Sequence, residues 1–293
     1  MSDHEKLCRI MQKQTQNQIA GIKKKIERLE KILLTSTGFI IIGLFTIILT
    51  LLKYHFWYNR RVKINRKYQY KDYTRTTDQG RRVYLNGQEK WPSVTTILSR
   101  TKEESDGLKK WRERVGEAEA KRIMKEAAQR GSEMHEALAG YLYGQKFQSP
   151  THDAPIALKL ANLIISKGLI YLDEIWGVEQ TLIYPGAYAG ASDLIGLYKQ
   201  TPTILDFKQA NKPKREEWIE DYYLQLAAYI CAHEKEYGEI KKGQILVAVK
   251  NLTFQEFEIS GNRLLEYKDK WGKRVDQFRT SLEQPLPESS PTA

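Results

Sequence analysis

Cysteine is nearly absent from this chain. Its 293 residues include two, Cys8 and Cys231. They are too few and too far apart for a disulfide framework, a structural zinc site or an iron–sulfur cluster held by four thiolates. Such a composition suits a reducing compartment, and a metal used here is expected to sit on hard oxygen ligands. Basic excess is missing where a net charge of +11 would suggest it. Residues 1–90 hold 19 Lys and Arg against 7 Asp and Glu, whereas the remainder holds 28 against 29. A nucleic-acid contact in the larger part of the chain must therefore come from a local groove. There is no internal repeat, which argues against solenoid and propeller architectures.

Long apolar runs are absent except for one, residues 32–52, bounded by Lys31 and Lys53. As a helix it would be about 31 Å long, enough to cross a bilayer core. The aromatic stretch Tyr54-His-Phe-Trp-Tyr58 follows, then Arg60, Arg61, Lys63, Arg66 and Lys67. This pattern predicts a single transmembrane helix with an aromatic belt. Residues 53–90 carry 11 basic and 3 acidic side chains against 8 and 4 in residues 1–31. The bias predicts an N-out, C-in topology, with the larger domain on the cytoplasmic side, or the matrix side if mitochondrial. Before the run, Ile19, Ile22, Ile26, Leu29 and Leu33 recur at alternating spacings of three and four. Residues 19–33 could thus self-associate as a short coiled coil, or extend the membrane helix as one amphipathic stretch.

The chemistry is concentrated between Tyr188 and Tyr229. Residues 188–198 and 203–208 read as two strands around the polar turn Lys199-Gln-Thr-Pro202, and a helix from about Arg215 to His233 follows. Side chains alternate along a strand, so Asp206 and Lys208 must share a face. With Tyr198 opposite Thr203, Asp193 falls opposite Lys208 and diagonal to Asp206, and a slip of one residue would turn Asp193 away. Two carboxylates and an ammonium group at one place are what metal-dependent phosphodiester hydrolysis requires. Acid-x-Lys spacing alone is weak: Glu119-Ala-Lys121, Glu239-Ile-Lys241 and Glu266-Tyr-Lys268 share it in charged, solvated contexts.

In order, Pro92-Ser-Val-Thr-Thr-Ile-Leu98, Leu108-Lys-Lys-Trp111, Arg114-Val-Gly-Glu-Ala118, Arg130-Gly-Ser-Glu-Met-His135, Gly190-x-x-Asp193, Asp206-x-Lys208 and Gln225-Leu-x-x-x-Tyr229 resemble the PD-(D/E)XK nuclease superfamily. Within its RecB-like branch they are similar to the mitochondrial genome maintenance exonucleases and their bacterial and phage relatives. The resemblance runs from about Arg81 to about Phe278. It implies a DNA exonuclease acting on free ends, with single-stranded DNA passing through an opening framed by helices. Mg²⁺ or Mn²⁺ would be held by Asp193, Asp206 and the Phe207 carbonyl, with His135 as a further ligand and Lys208 as the catalytic lysine. Glu179 matches an acidic position, and Gln225 and Tyr229 match the supporting helix motif. Lys212, Lys214 and Arg215 suit a phosphate track. Relatives usually follow the lysine with Thr or Ser; here Gln209-Ala210 stands instead.

The expected fold is α/β, a restriction-endonuclease-like core in which a mixed sheet is flanked by helices, behind a transmembrane helix. The expected layout is a helical segment over 1–31, a membrane span over 32–52, a basic linker over 53–80, a nuclease domain over 81–282 and a disordered tail over 283–293. Two other readings stay open at this level. One is a membrane-tethered DNA-binding or scaffolding protein that does not cleave. The other is an oligomerising membrane protein with a vestigial soluble domain.

Overall fold

The computed structural model describes residues 16–25, 45–46, 48–49, 62–78, 80–102, 106–148 and 150–283. Two units divide the chain, Met1–Arg61 and Val62–Ala293. In the first, residues 16–25 are helical, with Ile19 and Ile22 more than half exposed. Ile26, Leu29 and Leu33 lie outside the described residues, as does the tail over 284–293.

The expected membrane anchor requires correction. A span needs about 20 consecutive apolar residues in one helix. Among the described residues no helix is long and apolar enough to cross a membrane. Of residues 32–52, only 45, 46, 48 and 49 are described. The expectation of a single-pass membrane protein with its larger domain on the cytoplasmic or matrix side is therefore withdrawn.

The second unit is a mixed α/β fold. Its principal sheet has six strands: β1 (Lys63–Ile64), β5 (Leu172–Tyr184), β6 (Tyr188–Tyr198), β7 (Thr201–Ala210), β8 (Lys242–Val249) and β9 (Phe254–Ser260), side by side in that order. The β5–β6–β7 stretch is antiparallel, while β7 and β8 run parallel. The β7–β8 connection needs a crossover, which helix α5 (Glu220–Glu236) supplies. A smaller antiparallel sheet joins β2 (Thr74–Asp78), β3 (Arg81–Asn86) and β4 (Glu89–Pro92). The folded unit thus recruits strands from residues 63–64 and 74–78, upstream of Arg81.

Helices cover both faces of the principal sheet, which is why β8 is buried along its whole length and reads as an unbroken apolar run from Ile245 to Val249. One face, through Ile195, Ile204, Ile245 and Val247, packs on α1 (Val94–Thr101), α5 and α6 (Gly261–Glu283). The other, through Leu194, Leu205, Leu246 and Ala248, packs on α3 (Glu117–Leu142) and α4 (Ile156–Lys167). Helix α2 (Asp106–Val115) precedes α3. Ser93 caps α1 by accepting a hydrogen bond from the Thr96 amide. Met134, Leu138 and Leu142, spaced by four, form the buried stripe of α3. That helix runs unbroken through Gly131.

The β6–β7 hairpin differs from expectation in its turn. Tyr198 pairs with Thr201, not Thr203, leaving a two-residue loop, Lys199-Gln200. Both residues have positive φ, 49° and 59°, as a type I′ turn demands. Neither is Gly or Asn, so the sequence gives little warning. Contacts from the start of β5 support the turn: the Lys199 amide donates to the Tyr171 carbonyl (3.0 Å) and the Gln200 amide to Asp173 Oδ2 (2.8 Å). The shift is two residues, an even number, so every side chain keeps its face. The register now sets Asp193 against Asp206 rather than Lys208.

Candidate functional site

The site sits where two strands stop pairing. Strands β6 and β7 are paired only from Leu194–Leu205 to Tyr198–Thr201. The first half of β6 remains with β5, and the last half of β7 remains with β8. Beyond the Leu194–Leu205 pair the sheet forks, and Asp193 and Asp206 are the first residues of its two prongs. Asp193 Oδ2 accepts a hydrogen bond from the Phe207 amide (2.6 Å), so a side chain fills the place of the missing ladder bond. Through the fork, His135 of α3 reaches Asp193, with its Nδ1 3.3 Å from Oδ1.

Glu179 lies on the neighbouring strand, between the pairs Val178–Leu194 and Gln180–Ser192, and so beside Asp193. Its φ of 53° is costly for a residue with a β-carbon, on the order of 1–2 kcal/mol. The residue is exposed at the rim, while its carboxylate belongs to a close group with His135 and Asp193. Ligand atoms of the three lie within 4.8 Å of one another.

Asp206 is buried at 1% exposure, and the Lys208 ammonium contacts its Oδ2. That ammonium is the partner of the buried oxygen, so the carboxylate and the lysine form one buried ion pair. A charged pair buried in this way demands explanation in a folded protein. The electrostatics point the same way. Burial, with Asp193 nearby, pushes the Asp206 carboxyl up to about 6 despite Lys208. Burial and the Asp193 charge push Glu179 up to about 7. Asp193 differs: burial acts upward on it too, but His135, Lys208 and the Phe207 amide outweigh that and hold it below the usual range. Burial acts against the charged form of Lys208, yet Asp206 and Asp193 overcome this and raise its pKa. The lysine therefore stays an ammonium, a donor rather than a base. The group as a whole holds more negative charge than its cations neutralise, and a divalent cation would relieve that imbalance.

Helix α5 closes the site from the other side. Gln225 Nε2 donates to the Tyr229 hydroxyl (2.8 Å), and the Tyr229 ring is buried. Asp206 and Asp193 both act on this hydroxyl and, after burial, help to raise its pKa. A β-carbon at position 190 would lie 2.5 Å from Tyr229 Cε1, which accounts for the glycine three residues before Asp193. The three basic candidates downstream are not gathered at the acids. Lys212 and Arg215 are exposed, and Arg215 lies 3.8 Å from Glu217. Lys214 is half-buried, its amide donating to Gln255 Oε1 (2.7 Å).

Two contributions escape a reading of motifs. Tyr222 presents its ring 5.2 Å from Lys208 Nζ; it lies three residues before Gln225, so helical spacing could have flagged it. Gln209, where relatives have a hydroxyl, ties β7 to α3: its Nε2 donates to the Ala127 carbonyl (2.9 Å), and Arg130 Nε donates to its Oε1 (2.9 Å). These bonds fix the helix that carries His135.

Comparison with known proteins agrees with a nuclease ancestry. The chain is 28% identical over 214 residues to mitochondrial genome maintenance exonuclease 1 of Xenopus tropicalis, covering 66% of this chain and 58% of that one. With its Mus musculus counterpart it shares 26% over 205 residues, covering 64% and 58%. The chain is related to nucleases. It spans less than two thirds of the length of these curated relatives. No family model matches it. Among solved structures, a candidate exonuclease from Eubacterium rectale aligns with a TM-score of 0.35 and 16% identity, over 56% of this chain and 76% of that one. A structural likeness that slight supports no conclusion about the chemistry.

Proposed function

We propose that the chain is a metal-dependent DNA exonuclease of the PD-(D/E)XK type, with a restriction-endonuclease-like core, hydrolysing phosphodiester bonds at single-stranded ends. One observation carries this reading: His135, Glu179 and Asp193 converge within 4.8 Å beside a buried Asp206–Lys208 pair. Carboxylates, one imidazole and no thiolate suit a hard divalent ion, Mg²⁺ or Mn²⁺. Asp193 and Asp206 would hold it, helped by His135, Glu179 and the Phe207 carbonyl. When bound, the ion lowers the pKa of a coordinated water and neutralises charge on the scissile phosphate.

The chain's own residues do the rest. Lys208, kept protonated by the two carboxylates, stabilises the charge that builds on the phosphate as the P–O bond to the leaving sugar breaks. Tyr222 and Asp206 hold the lysine from two sides. Gln225 and Tyr229 brace the prong bearing Asp193, and Gln209 with Arg130 holds α3 so that His135 reaches it. Phosphates of the incoming strand would meet Lys212, Lys214 and Arg215.

The test is digestion of end-labelled single-stranded DNA by the purified protein with Mg²⁺ or Mn²⁺. Asp206→Ala and Lys208→Ala should each lose at least about a hundredfold in rate, the scale of a lost transition-state contact. Chelation should stop the wild type. Undiminished digestion by either folded variant would refute the assignment.

A further inference from the structure

Beside the catalytic fork is a second concave feature that the hydrolytic chemistry does not use. A cavity of about 600 Å³ opens between the end of α1, the N-terminus of α5 and α6, lined by Thr101, Lys102, Glu217, Trp218, Asp221 and Arg274 among others. Trp218 is 58% exposed, which is unusual for the side chain with the largest apolar area. The Arg215 guanidinium lies over its ring, 5.1 Å from the centroid. The cavity lies close to the chemistry. Asp221 adjoins Tyr222, whose ring is 5.2 Å from Lys208 Nζ, and Trp218 ends the short 3₁₀ turn (Glu216–Trp218) that leads into α5.

The lining is wrong for a phosphate and right for a base. Glu217, Glu220 and Asp221 contribute three carboxylates; Lys102 and Arg274 are drawn to Asp221, Lys270 lies 3.0 Å from Glu220 and Arg215 3.8 Å from Glu217. A phosphate would meet repulsion there, whereas carboxylates accept hydrogen bonds from exocyclic amino groups. Arg274 is held in place by its Nη2, which donates to the Leu98 carbonyl (3.3 Å) and lies 3.7 Å from Asp221. Lys214, which is not part of the lining, is near enough to Lys102 that, after burial, the Lys102 charge disfavours its own. Phosphate oxygens would suit that position. Bases on one side and phosphates on the other is the arrangement by which single strands are held.

We propose that Trp218 and this cavity form a subsite that stacks one nucleobase of the DNA strand while Arg215 and Lys214 take its phosphates. This rests on the exonuclease reading and adds where the strand is gripped before the scissile bond. The test uses the full chain, a fluorescein-labelled oligodeoxycytidylate, whose bases carry an exocyclic amino group, and Ca²⁺ in place of Mg²⁺. Trp218→Ala should weaken binding about tenfold, in line with the loss of one base–aromatic stack. Trp218→Phe should recover most of it, since the π-face is retained. In an abasic scan, one position should weaken wild-type binding about tenfold and leave binding by Trp218→Ala unchanged. Binding by Trp218→Ala within twofold of wild type, or an abasic penalty equal in both proteins, overturns the subsite. If the wild type digests DNA and Asp206→Ala does not, that failure falls on the subsite alone. If the wild type neither binds nor digests DNA, the exonuclease reading falls first.

Discussion

Tyr229 occupies the space that a β-carbon on residue 190 would need: the nearest ring atom would be 2.5 Å away, and Val94 Cγ2 3.1 Å. The glycine on β6 and the tyrosine on α5 are therefore one device, in which an absent side chain lets a ring lie flat behind the prong that carries Asp193.

Gly190→Ala should consequently move the ring or the prong. Overpacking at a buried contact costs about 1–3 kcal/mol, and the Asp193 carboxylate should shift with the strand. Denaturant unfolding should show the loss of stability, and DNA digestion should fall more than the folded fraction does. An alanine variant with wild-type stability and rate would mean that the ring has room to yield.

Lys208 and Asp206 should prove strongly coupled. Removing the ammonium leaves a buried carboxylate uncompensated, which costs on the order of 3 kcal/mol when a buried pair is broken. Lys208→Ala should thus be clearly less stable than wild type at neutral pH without divalent ions. Removing the acid as well should restore much of the loss, so Asp206→Ala/Lys208→Ala should exceed Lys208→Ala in stability. Additive effects in this double-mutant cycle would show that the two groups do not sense each other.

Stability should depend on pH with opposite signs at two places. His233 is fully buried, its Nδ1 bonded to the Gly238 carbonyl (2.8 Å) and its Nε2 to the Tyr70 hydroxyl (3.1 Å). Burial lowers its pKa in the folded protein. The unfolded chain then binds the proton first, so this contribution is present above about pH 6.5 and is lost as pH falls below it. Glu179, pushed up to about 7, works the other way. Its folded form binds the proton first, so it lowers stability above about pH 7 and ceases to do so as the carboxyl protonates. Urea midpoints measured from pH 8 to pH 5 should fall less steeply on acidification in His233→Gln than in wild type. Glu179→Gln should be more stable than wild type at pH 8, and that advantage should shrink steadily as pH falls from about 7 toward 5. Parallel pH profiles for all three proteins would contradict both assignments.

The split between what was legible and what was not reflects the range of each effect. Alternation along β7 placed Asp206 and Lys208 on one face from local geometry alone, and no packing could have undone it. The sequence likewise forecast strands over 188–198 and 203–208, which run from Tyr188 to Tyr198 and Thr201 to Ala210. The turn between the last two was misjudged because Lys199-Gln200 carries no local preference for positive φ; contacts from Tyr171 and Asp173, distant in sequence, hold it there. Gln209, legible only as a departure from relatives, acquires its role by meeting Ala127 and Arg130 across 79 or more positions of chain.

By itself the sequence determined the identities and spacing of Asp193, Asp206 and Lys208, because strand periodicity is a property of the backbone and needs no partner. Tertiary structure alone decided that β6 and β7 part after Leu194 and Leu205, since a fork arises only when each prong has a better neighbour in β5 or β8. That parting exposes Asp193 to His135 on another helix. It also decided that Trp218 should stand in solvent beside a cavity: the chain places the aromatic, but only the packing of α1, α5 and α6 leaves it uncovered.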